Sequence, residues 1–292
     1  MEYLLMTVAI AFATLNSAIL KKFNNRTIKN TGDCFFFNGG VSIVWTAVML
    51  IWFFAAGGRS ISGGAVLFGL VYGFILCAFL FLKMQSLAEG PVTFTTLIGS
   101  AAFIPATVFG IFYASENVSA LQIAGIALML LSVFMCVNPK KSNVSMTLKW
   151  IIYCSAFFIA GGVIGMFYKV FGRSDFSSEA NGMMLCASFF SAIFFFCTGI
   201  IINKVKKEPT PTLKKASLLW LVTSALAGCV YIRINLSLSA VIPSAIFFPV
   251  SNGALVILST LIGWLVFGEK LNRLQLLGIF VGLISIVLTG IG

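Results

Sequence analysis

Apolar residues in this chain run on without alternation, in stretches of about twenty that polar clusters close. "AVLFGLVYGFILCAFLFL", which ends at Lys83, is one of them. Strands with one face buried alternate polar and apolar positions, and so do the strands of a membrane barrel, so continuous runs of this length predict helices. Ten segments emerge, at roughly 3–22, 34–56, 64–88, 91–113, 118–138, 148–170, 180–203, 216–238, 242–267 and 271–290. Turn-forming clusters separate several of them: "AGGRSISGG", "EGP", "NPKKSN" and "KKEPTPTLKK" follow the second, third, fifth and seventh. The loops are short, so helices adjacent in sequence are expected to pack as neighbours.

The pattern also repeats. Residues 110–132 overlay residues 263–285 without a gap, at an offset of 153. Gly110, Glu116, Gln122, Gly125 and Ser132 fall on Gly263, Glu269, Gln275, Gly278 and Ser285. Shared leucines mean little in membrane helices, but shared Glu, Gln and Gly mean more where polar residues are scarce. Thr14, Ala18 and Lys22 correspond in the same way to Gly161, Gly165 and Lys169. Both sets place two small residues and a lysine four apart, along one helix face, where small residues let backbones approach closely. A lysine that ends such a stripe is expected to point along a seam between helices. Each half then holds five helices, an odd number, so the second half enters the membrane inverted. Inverted-topology repeats of this kind place a site near the midplane, between the halves.

Composition decides the solvent. Of 292 residues, 60% are hydrophobic and 9% charged, and the mean hydropathy is +1.06. A soluble domain could not cover so much apolar surface, so the partner is membrane lipid. Seven cysteines lie in or beside apolar runs without ligand spacing and read as small packing residues. There is no histidine, which removes the commonest general base and metal ligand, and no cofactor or metal is expected. The first apolar run lacks a following small-residue cleavage site, so no signal peptide is expected.

Residues 86–130 and 249–288 carry a further pattern. A helix with a central polar or proline position is followed by a Glu, usually after Gly, and by Gln-x-x-Gly opening the next helix. "FGEKLNRLQLLG" fits it well, whereas Ser115 stands where the pattern has Gly before Glu116. In this the chain resembles, over nearly its whole length, the EamA-like, ten-helix branch of the drug/metabolite transporter superfamily. The resemblance implies alternating-access transport through a central cavity lined mainly by helices 1, 3, 4, 6, 8 and 9. It is nearly silent on substrate.

The scarce polar residues are the candidates for chemistry. No carboxylate lies in the middle of an apolar segment. The embedded Glu by which small multidrug relatives exchange protons for cationic drugs is therefore missing, and a cationic-drug exporter is disfavoured. Glu116 and Glu269 sit at helix beginnings, where a carboxylate meets the positive end of the macrodipole, and read as structural caps. Gly125 and Gly278 read as helix-packing positions. The positive charges are the better lead. Lys22, Lys83, Lys169 and Arg233 lie near the ends of four helices assigned to the cavity, where an anionic group could meet them. The rival reading is that all four snorkel to the interface. Tyr72 and Ser86 share a face with Lys83, and Asn16, Ser100, Ser251 and Asn252 supply uncharged polar groups, with interhelical bonding as the alternative. The phenylalanine runs at 34–38 and 194–197 read as lipid-facing bulk.

Loops after helices 1, 3, 5, 7 and 9 carry fourteen Lys and Arg, against three on the other side. The richer side is expected in the cytoplasm, which puts both termini outside, whereas the resemblance implies both inside. The net charge of +11 is then a topology signal rather than a nucleic-acid surface.

The expected molecule is an all-α polytopic membrane protein with ten transmembrane helices. Residues 1–138 and 148–292 form two inverted repeats joined by a basic loop at 139–147. It would carry a small organic metabolite, anionic or zwitterionic by preference, across a cell membrane that is bacterial and inner. The alternatives are a carrier of neutral or cationic solutes whose basic residues only snorkel, and, more remotely, a polytopic membrane enzyme.

Overall fold

The computed structural model describes residues 1–27, 31–89, 92–136, 147–206, 215–267 and 271–292. Side chains at 20–27, 31, 87, 88, 92–94, 96, 97, 206, 215–217 and 267 lie outside that description. Lys22, Glu269 and most of the 139–147 loop therefore fall outside the described residues.

Every apolar segment is helical: α1 Glu2–Thr27, α2 Thr31–Ala55, α3 Gly63–Glu89, α4 Val92–Ala101, α5 Phe103–Ala114, α6 Ala120–Cys136, α7 Leu148–Gly172, α8 Ala180–Lys206, α9 Lys215–Val241, α10 Ser244–Phe267 and α11 Arg273–Ile291. No strand occurs among the described residues. Eight helices are long and apolar enough to cross a membrane, as a multi-pass membrane protein requires. The fourth expected segment departs from one straight helix. It breaks at Ala102 into α4 and α5, because Pro105 has no N–H to give the carbonyl of Ala101 four residues back. Ala102 N bonds instead to Gly99 O at 3.3 Å. Pro249 makes the same deletion inside α10, which stays continuous.

Two compact units emerge, and neither is a sequence half. One comprises Met1–Met6, Ala78–Gly172 and Ser237–Gly292; the other comprises Thr7–Cys77 and Arg173–Leu236. Each draws helices from both halves.

In the second unit α2 and α8 run antiparallel. Thr46 Oγ1 donates to Ser188 Oγ at 3.2 Å, and Phe36 and Phe196 meet edge to face at 5.9 Å. The Phe196 ring lies over Gly39, and the Phe36 ring lies over Gly199. Phe35 and Phe195 are fully buried. The phenylalanine runs are thus largely packing residues between two helices, and the lipid-facing expectation is corrected. Flat rings pack over the glycines, where a side chain on the opposing helix would block them.

In the first unit α6 and α11 run antiparallel along a seam of small residues. Ser132 Oγ donates to Gly278 O at 2.7 Å, and Ser285 Oγ donates to Gly125 O at 2.6 Å. Ser132 matches Ser285 and Gly278 matches Gly125 in the repeat, so each bond is the equivalent of the other. A Cβ on Gly125 would stand 3.0 Å from Thr289 N, and one on Gly278 would stand 3.0 Å from Cys136 N. Only glycine permits this approach. The repeated glutamines have a role here as well. Gln122 closes a capping box with Ser119, and Gln275 closes one with Asn272, at the starts of α6 and α11.

Candidate functional site

The stripe Gly161, Gly165, Lys169 of α7 lies against Ala102 at the break and Ala106 and Gly110 of α5. α5 and α7 therefore run parallel in contact, and the lysine at the end of the stripe does follow a helix seam. It is 2% exposed. Its Nζ is 3.0 Å from Glu116 Oε1 and donates to Ile242 O at 2.9 Å. Glu116, 13% exposed, accepts from Ser244 N at 2.6 Å and from Ser244 Oγ at 3.0 Å.

Glu116 is thus a cap, but of a different helix from the expected one. Its carboxylate sits on the first residue of α10, where unpaired N–H groups and the macrodipole favour a negative charge. The start of α6 has its own cap in Ser119. What turns Glu116 toward α10 is the residue before it. Ser115 ends α5 in the left-handed conformation, φ 51°, and its N–H reaches back to Phe112 O at 3.3 Å. Outside glycine that conformation costs roughly 1 kcal/mol, which accounts for the preference for Gly at this place in the motif. Lys169 and Glu116, with Ser244 and Ile242, tie α7, the α5–α6 connection and α10 together.

The other expected residues fall as follows. In the first unit Lys83 is exposed on α3, whereas Ser86 is buried and donates to Leu82 O at 2.8 Å. The carbonyl of Ser86 accepts from Thr95 Oγ1 at 3.3 Å, and Trp150 Nε1 donates to the same hydroxyl at 3.0 Å. Ser86 is therefore part of a knot between α3, α4 and α7. Close by, Lys149 and Glu89 form an ion pair at the surface. Ser100 is half-buried at the end of α4. Asn252 Nδ2 donates to Phe248 O at 2.9 Å, and Ser251 Oγ is buried with no hydrogen-bond partner.

In the second unit Asn16 Oδ1 accepts from Ser224 Oγ at 2.6 Å and joins α1 to α9. Tyr72 is buried and lines a small cavity with Trp45, Met49, Leu76, Met184 and Cys229. Arg233, one turn beyond Cys229 on α9, is half-buried. Its Nε donates to Asn181 Oδ1 at 2.7 Å, and its guanidinium lies 5.9 Å from the centre of the Trp52 ring. Sequence reasoning passed over Ser244, Asn181 and the break at Ala102. Pro105 was a readable signal for the break. Nothing local marks the other two, whose partners lie 128 and 52 residues away.

No protein-family model and no curated protein matches this chain. The fold is similar to that of a solved protein described only as "Crystal structure of protein". The TM-score is 0.79 at 13% sequence identity, over 99% of this chain and 96% of that one. At that identity the likeness speaks for the fold alone.

Proposed function

We propose that this protein is a secondary transporter with two inverted five-helix repeats, a ten-helix member of the drug/metabolite transporter superfamily. It moves a small organic anion or zwitterion across a bacterial inner membrane by alternating access. The observation that carries the reading is the α6–α11 seam. Equivalent helices of the two halves lie antiparallel and exchange equivalent bonds, Ser132 to Gly278 and Ser285 to Gly125. A two-fold operation that swaps two antiparallel membrane-spanning helices has its axis in the membrane plane, which is the symmetry alternating access employs. The α2–α8 pair repeats the arrangement, with Phe36 over Gly199 and Phe196 over Gly39.

The preference for an anion rests on Arg233. A guanidinium inside an apolar helix is costly unless it has work to do, and Arg233 is half-buried on α9. Lys83, being exposed, fits either an approach role or snorkelling. Purified protein in liposomes is expected to pass a carboxylate- or phosphate-bearing solute saturably, and Arg233→Met is expected to abolish that flux while leaving yield and melting temperature near wild type. If anionic, zwitterionic and neutral solutes all cross no faster than in protein-free liposomes, transport is the wrong reading. Unchanged flux in Arg233→Met would favour neutral substrates.

A further inference from the structure

We infer that the break in the fourth membrane segment, together with Ser251 and Asn252 of α10, forms a binding site for an alkali cation. Three observations within the first unit converge there. The first is the broken helix itself. Pro105 leaves the carbonyl of Ala101 without a helical donor, at the C-terminal, electronegative end of α4. Carbonyls released by a discontinuous helix inside a membrane need protein, water or an ion to satisfy them.

The second is the hydroxyl of Ser251. The residue is 6% exposed, and its Oγ has no hydrogen-bond partner. Elsewhere in the membrane helices hydroxyls find the carbonyl four residues back: Thr14 to Ile10, Ser86 to Leu82, Thr107 to Phe103 and Thr260 to Val256. Ser251 does not make that bond. A buried polar atom left unpaired costs about 1–3 kcal/mol and calls for an occupant.

The third is register. Ser244 abuts Gly110, and Phe248 lies with Ala106 against Gly165, so α10 runs antiparallel to α5. Continued one further turn, that register brings Ser251 and Asn252 level with Phe103 and Ala102. Residues 244, 248, 251 and 252 share one helix face, the face packed on α5. The orphan hydroxyl is therefore on the side of the break. Asn252, whose Nδ2 is committed to Phe248 O, has its amide oxygen left to offer.

The donor set is all oxygen and carries no formal charge. Calcium and magnesium are held by carboxylates, and a transition metal would want nitrogen or sulfur. Uncharged carbonyl, hydroxyl and amide oxygens suit a single positive charge, Na+ or K+. That such an ion drives transport rests on the reading above; that it binds does not.

The test is a thermal melt of the purified full chain in detergent, with NaCl, KCl or choline chloride at constant ionic strength. One of the alkali ions is expected to raise the melting temperature by about 2–4 °C at ten times its Kd, saturably and relative to choline. Which salt acts identifies the ion. Ser251→Ala should abolish the shift, and Ser251→Thr, which keeps the hydroxyl, should retain it. Identical melts in all three salts would overturn the inference, as would a full shift in Ser251→Ala. Should Ser251→Ala not fold, Asn252→Ala is held to the same outcomes. Because the melt involves no flux, a protein that binds the ion without transporting anything would leave the site standing and the transport reading refuted.

Discussion

The α6–α11 seam and the N-terminal half of α10 belong to the same compact unit, yet they treat polar groups in opposite ways. Along the seam Ser132 and Ser285 each find a carbonyl on the facing helix, and the two bonds are a matched pair. In α10 the first turn is held by a buried carboxylate and lysine, and two turns further on a hydroxyl has no partner. In lipid a satisfied polar pair contributes only about 0.6 kcal/mol, because the separated helices find other partners. A seam built from such pairs specifies register more than it adds strength. A buried ion pair and an orphan hydroxyl are expensive to keep, and such expense marks the parts of a membrane protein that act.

That contrast can be broken at its strongest point first. Lys169→Met leaves the Glu116 carboxylate buried against α10 without its countercharge and is expected to cost about 3–5 kcal/mol. Adding Glu116→Gln should recover much of the loss. Urea or thermal unfolding of both variants checks this, and a single mutant as stable as wild type would mean the pair is incidental. Next in size is the seam. Gly125→Val drives methyl groups into the backbone of α11 at Thr289, and overpacking of this kind costs about 1–3 kcal/mol. Cysteine cross-linking between α6 and α11 should fail in that variant if the helices part. The smallest effects are the sharpest. Ser132→Ala should lose about 0.6 kcal/mol. Ser251→Ala, in buffer without alkali cations, should gain about 1 kcal/mol by removing an unpaired group. Equal signs in the two melts would erase the distinction between the regions.

Much of the fold was legible because lipid enforces it. Ten apolar runs became helices within a few residues of their expected ends, since every lipid-facing backbone group must bond inside its own segment. The break at Ala102 was visible in Pro105, but hydropathy alone passes over a proline in an apolar run. The repeated Gly, Gln and Ser residues were legible as a pattern, and the structure supplies their work as seam and capping box. The pair of Lys169 and Glu116 was not legible. Each residue had a sensible local reading, a cavity charge at the end of a helix seam for one and a cap on its own helix for the other, and only three-dimensional packing joins residues 53 apart. The phenylalanine runs were misread for a related reason. A ring buried over a glycine and a ring facing lipid are the same letter in a string.

The reach of Glu116 also sets a timetable. Its lysine is made 53 residues later, and the helix it caps begins 128 residues later. At ribosomal speeds of roughly 5–20 residues per second, the carboxylate waits about 6–25 s for α10 to emerge. Lys169 can meet Glu116 as soon as α7 is made, but the bonds of the pair to Ile242 and Ser244 stay unmade until α10 follows. Those remaining bonds form together when Ile242 and Ser244 arrive. The growing chain therefore passes through a half-built stage in which α5 and α7 are already made and α10 is not yet clasped to them. A ribosome stalled shortly before Ser244 would hold the protein in that stage, and one stalled well after it would not.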